Sequence, residues 1–171
     1  MEGADLLQTI AEVSVAFAGF AAIVIAVRHR GARGLAPEEA IHLQLMLGPS
    51  LATVAFSLIP LWLFHIGVSP DGVWGISSGG MALYLSIVTP LDARRGSRMM
   101  RKGLLERTPA AVVAVLGVTA LVSQAANATG LIWGRTFGGL LAGLLLLLAL
   151  SGFTFFRLVA VPSRESRDAA A

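Results

Sequence analysis

Five stretches of the chain contain no Asp, Glu, Lys or Arg: residues 13–27, 40–70, 72–91, 108–134 and 136–156. A helix rises about 1.5 Å per residue, so roughly 20 residues cross a hydrocarbon core about 30 Å thick. Ions are kept out of such a core because they lose their hydration there. Only 13% of the residues are charged, against about 25% in an ordinary soluble domain. The pattern predicts an all-α fold, an integral membrane helical bundle with five transmembrane helices near 6–28, 38–65, 73–91, 109–132 and 136–160. The first charge-free stretch reaches spanning length only if Leu6, Leu7 and Ile10 join it and Glu12 is carried inside.

Local residues explain the boundaries. Pro37-Glu38-Glu39 places a proline and two acids in a first helical turn, where the missing N–H costs nothing and the helix dipole favours negative charge. Thr108-Pro109 repeats the signal, and Ser69-Pro70-Asp71-Gly72 reads as a tight turn between the second and third spans. Pro49 and Pro60 are expected to kink the second span. Residues 1–162 form one five-span domain on this reading, and residues 163–171 form a short, disordered cytoplasmic tail.

Lys and Arg collect on the cytoplasmic side of membrane proteins, and here they are one-sided. Arg28, Arg30 and Arg33 follow the first span; Arg94, Arg95, Arg98, Arg101, Lys102 and Arg107 follow the third; Arg157, Arg164 and Arg167 follow the fifth. Only Arg135 breaks the alternation, which predicts an N-out/C-in topology. A cleaved signal peptide would need basic residues ahead of its apolar stretch, whereas Glu2 and Asp5 stand there. The formal charge of +3 is thus assigned to topology and not to nucleic acid. Arg94, Arg95, Arg98, Arg101 and Lys102 are expected to meet anionic lipid headgroups, each contributing about 1 kcal/mol.

On a helical projection of the first span, Gln8, Ala11, Glu12, Val15, Ala18, Gly19, Ala22 and Ala26 share one side; Leu6, Ile10, Val13, Phe17, Phe20, Val24 and Val27 lie opposite. In the fourth span Thr119, Ala120, Ser123, Gln124, Asn127 and Gly130 form a polar stripe. Helices associate in lipid through close packing and interhelical hydrogen bonds, so both faces are expected to turn toward neighbouring helices. Glu12 and the Gln124/Asn127 pair fall at similar depth and are candidate partners, with Gln8 and His65 within the same polar region. Gly75-xxx-Gly79, Gly130-xxx-Gly134 and Gly139-xxx-Gly143 allow close crossings, as do Ala18, Gly19, Ala22 and Ala26. Trp74 and Trp133 are expected in an aromatic belt at the membrane interface.

Glu12 is the sharpest chemical candidate, since a carboxylate at membrane depth is a functional hypothesis by default. His65, near the end of the second span, is placed where pH sensing is feasible. No cysteine is present, no histidines have metal-ligand spacing, and no cofactor is indicated. Gly75-Ile76-Ser77-Ser78-Gly79 matches G-x-S-x-G, but it lies in a predicted transmembrane helix and lacks the strand-to-helix elbow that motif needs.

The segment Glu12-Val-Ser-Val-Ala-Phe-Ala-Gly-Phe20-Ala-Ala-Ile-Val resembles the first helix of many small, functionally uncharacterised bacterial multi-pass inner-membrane proteins. The resemblance implies a bacterial cytoplasmic membrane and gives weight to the Glu12 face. The expected function is non-enzymatic: self-association, or assembly into a membrane complex, through the small and polar faces of the first and fourth helices. The alternative is an oligomeric cation or proton channel using Glu12, Gln124 and Asn127. A remote alternative is an intramembrane serine hydrolase.

Overall fold

The structure, a computed structural model, describes residues 3–28, 37–101, 107–131 and 134–160. Five α-helices are present among them: α1 (Ala4–Arg28), α2 (Pro37–His65), α3 (Pro70–Arg101), α4 (Arg107–Thr129) and α5 (Phe137–Ala160). No strand occurs among the described residues. Each helix is long and apolar enough to cross a membrane.

Helices α2, α5, α4 and α3 pack in a ring, each against the next, and α1 lies on the outside against α2 and α5. Among the described residues, α1 and α4 do not touch. Leu140, Leu144 and Leu147 of α5 fill the centre with Leu7 and Ile10 of α1, Ala52 of α2, Met81 and Leu85 of α3, and Ala120 of α4. Within the run Leu144 to Leu148, Leu144 and Leu147 face the middle of the bundle while Leu145 is exposed on its outside. Exposed Val115, Val118 and Val122 of α4, and Leu83 and Ile87 of α3, form outward apolar surface.

Buried hydroxyls on α1, α2 and α5 are largely satisfied within their own helices. Ser14 donates to the Ile10 carbonyl, Ser50 to Met46, Thr53 to Pro49 and Ser151 to Leu147. Such side chains pack as small residues without needing a partner across the interface.

Two expectations about boundaries require correction. The charge pattern places the end of the third helix near residue 91, yet α3 continues through Pro90 to Arg101. Absence of charge marks the edge of the hydrocarbon, not the end of a helix, and the Arg and Met residues beyond it are good helix formers. With 32 residues, α3 is about 48 Å long and outruns a ~30 Å core. In addition, Ser69-Pro70-Asp71-Gly72 is not the turn. Ser69 is the N-cap of α3, its Oγ accepting from the Gly72 N–H at 3.4 Å, with Pro70 first in the helix. The chain reverses just before it, at Gly67, where φ is +84°. There the N–H groups of Gly67 and Val68 donate to the carbonyls of Phe64 and Leu63, the paired bonds of a Schellman cap.

The same cap ends α4. Gly130 and Leu131 donate to Asn127 and Ala126, and Gly130 has φ +72°. Gly130 and Gly134, the latter also at positive φ, are therefore turn residues and not a helix-crossing pair. Helix α2 remains continuous through Pro49 and Pro60.

Candidate functional site

At the end of the bundle where α2 joins α3 and α4 joins α5, two carboxamides of α4 are seated in notches of α5. Asn127 Nδ2 donates to Ser78 Oγ of α3 at 2.7 Å and to the Thr136 carbonyl at 3.1 Å; Asn127 Oδ1 accepts from the Thr136 N–H at 3.0 Å. One side chain thereby ties three elements. Thr136 in turn caps α5, its Oγ1 accepting from the Gly139 N–H. Gln124 Nε2 donates to the Gly139 carbonyl at 2.7 Å.

The notches exist because residues 139 and 143 have no side chain. A Cβ built at Gly139 collides with the Asn127 carboxamide, and one at Gly143 collides with that of Gln124. Around this tie, Trp74 and Phe137 pack with ring centroids 5.3 Å apart. A Cβ at Gly3 would enter the Phe137 ring, while Arg135 crosses over Gly75 and donates from Nε to the Ala128 carbonyl at 2.9 Å. Gly75 and Gly79 thus lie along the close approach of α3 to the far end of α4. Trp133 lies outside the described residues.

The expected meeting of Glu12 with Gln124 and Asn127 does not occur. Gln124 is fully buried and Asn127 is 6% exposed, with their bonds directed to α3, α5 and the connection before α5. Glu12 is exposed on α1, where its Oε1 accepts from Gln8 Nε2 of the same helix at 2.9 Å. The first helix packs by a side that lies between the two faces of the projection. Leu7, Ile10, Ala11, Ser14 and Ala21 are buried against the bundle; on the small and polar face Gln8, Glu12, Val15, Gly19, Ala22 and Ala26 are exposed and Ala18 is half-buried, and on the opposite face Leu6, Val13 and Phe20 are exposed as well. The physical reason is shape: α2 and α5 offer α1 an apolar surface dotted with self-satisfied hydroxyls, which takes up Leu7 and Ile10 but offers nothing to a carboxylate. Phe17, also expected to face lipid, stacks on Phe155 at 5.9 Å.

His65 is exposed at the last residue of α2 and is not brought to Glu12. Side chains of His29 and His42 lie outside the described residues. Ser77, the central serine of Gly75–Gly79, is buried within α3, and among the described residues its hydroxyl has no hydrogen-bond partner, histidine included. Its neighbour Ser78 is occupied by Asn127. Ser57 Oγ and Gln124 Oε1 are likewise buried without a partner among the described residues. Arg94, Arg95, Arg98 and Arg101 are exposed on the part of α3 that outruns the core, with Arg95 3.7 Å from Asp92. Lys102 and residues 163–171 lie outside the described residues.

Comparison with protein-family models, with curated proteins and with solved structures finds no match. The chemistry of the chain therefore rests on its own geometry.

Proposed function

We propose that this chain is a small, non-enzymatic integral membrane protein of a bacterial cytoplasmic membrane, N-out and C-in, that self-associates or joins a membrane complex through α1. The observation that carries the proposal is the exposure of Glu12 and Gln8 on the outward side of α1. Glu12 lies eight residues into the helix, about 12 Å along its axis, where a carboxyl group facing acyl chains is costly. A second protein surface removes that cost by supplying hydrogen bonds. The corresponding face of α4 is already consumed inside the chain by α3 and α5, so α1 alone is the assembly face. Arg94, Arg95, Arg98, Arg101 and Lys102 hold the cytoplasmic end of α3 against anionic headgroups, as their one-sided placement supports.

The test exploits the absence of cysteine. Single cysteines at Gly19 and Ala22 of α1 and at Val118 and Val122 of α4 are exposed to a lipid-phase maleimide in native membranes. Protection of the α1 thiols relative to the α4 thiols is expected; equal labelling refutes the assembly face.

A further inference from the structure

Resting on the reading of the basic end of α3 as a headgroup contact, we infer that α3 carries a site for one anionic phospholipid of the cytoplasmic leaflet. Its acyl chain lies along Leu83, Ile87 and Leu91, and its phosphate sits on Arg94 and Arg98. These five side chains and Arg101 are all exposed, and they recur at spacings of four, four, three, four and three. At about 100° per residue the six fall within roughly 80° of arc, centred about 145° from Met81 and Leu85, the buried residues of the same stretch. One stripe on the outside of α3 thus turns from apolar to basic along its length. Of the other exposed residues here, Ser86, Pro90 and Ala93 carry no charge. Arg95 stands about 90° round the helix from the centre of the stripe and is drawn to Asp92 at 3.7 Å.

The dimensions of the stripe are those of one leaflet. Leu83 is about 16 Å from Arg94 along the axis, and half of a ~30 Å core is about 15 Å. Arg94 and Arg98 lie about 36 and 42 Å from Pro70, so with Pro70 at the opposite interface they reach the headgroup layer. Because α3 is helical as far as Arg101, the two guanidinium groups are spaced one turn apart, about 6 Å along the axis. Each offers a planar fork of N–H donors that matches phosphate oxygens. The combination selects the occupant. An inorganic phosphate ion uses the arginines but leaves the apolar half unused, and a zwitterionic lipid brings an ammonium group against Arg101. An anionic phospholipid satisfies both halves without that repulsion.

Native mass spectrometry of the purified full-length chain in detergent, titrated with dioleoyl phosphatidylglycerol or dioleoyl phosphatidylcholine, tests the site. One phosphatidylglycerol is expected to be retained at concentrations where phosphatidylcholine is not. The Arg94→Gln, Arg98→Gln double variant is expected to weaken that binding about 30-fold, at about fivefold for each basic residue. Arg95→Gln is expected to leave it within twofold, with circular dichroism showing both variants as helical as the natural chain. Sodium phosphate is expected to displace no more lipid than sodium chloride of equal ionic strength; selective displacement makes this a free-anion site and overturns the inference. Retention by the double variant, or equal loss with Arg95→Gln, overturns the stripe while the preference for phosphatidylglycerol keeps the general headgroup contact standing. No preference for phosphatidylglycerol over phosphatidylcholine overturns both.

Discussion

Gly143→Ala measures directly whether the α4 carboxamides are locked into α5. The new methyl overlaps the Gln124 side chain, which is fully buried and held by its 2.7 Å bond to the Gly139 carbonyl. Overpacking costs about 1–3 kcal/mol, and the displaced interhelical bond about 0.6. Replacing glycine by alanine inside a helix returns about 1, so the net loss is about 0.6–2.6 kcal/mol. Gln124→Ala alone gives up the same bond and its packing, offset in part because it removes the unpartnered Oε1. In the double variant the methyl introduced at position 143 enters the space that Gln124 vacated, so the overlap vanishes while the helix gain remains. The double variant is expected to be more stable than the sum of the singles by about 1–3 kcal/mol, well outside the ~0.5 kcal/mol scatter of independent sites. Equilibrium unfolding in mixed micelles, followed by circular dichroism, gives the four free energies. Additivity refutes the notch.

Asn127→Ala gives up the bonds to Ser78 and Thr136 and is expected to cost about 2 kcal/mol at ~0.6 each in the same unfolding assay. Gly67→Ala and Gly138→Ala both place a methyl in open space. Only Gly67 has positive φ, so Gly67→Ala is expected to lose about 1–2 kcal/mol while Gly138→Ala loses nothing. A cysteine at Arg98 is expected to react with an impermeant thiol reagent from the cytoplasmic side alone; periplasmic labelling of intact cells reverses the topology.

The five spans were legible because hydrocarbon excludes charge, and that exclusion shows whatever the helices do next. It was silent about where α3 stops, since a helix of Arg and Met continues in water as readily as an apolar one continues in lipid. Ser69 before Pro70 carried an N-cap signal that competed with a turn signal in the same four residues; Gly67, placed to take the positive φ, was the deciding residue. Gln124, Asn127, Gly139 and Gly143 were each visible as polar or small, but their pairing was not. The usable clue was distance from the α4–α5 connection, since residues 127 and 139 stand symmetrically about 133 and antiparallel neighbours meet in that order. Glu12 shows the limit of face arguments. A helical projection separates two sides of α1, but which side is buried depends on surfaces of α2 and α5 that are remote in sequence. Leu7 and Ile10 fit those surfaces, leaving the carboxylate outside.

The most direct measurement is the mass of the particle released from native membranes in polymer-bounded nanodiscs, for the natural chain and for Glu12→Leu. The natural chain is expected to appear accompanied, by copies of itself or by another polypeptide, and Glu12→Leu as a lone 17.8 kDa chain. A single, unaccompanied polypeptide in both particles would contradict the assignment of α1 as an assembly face.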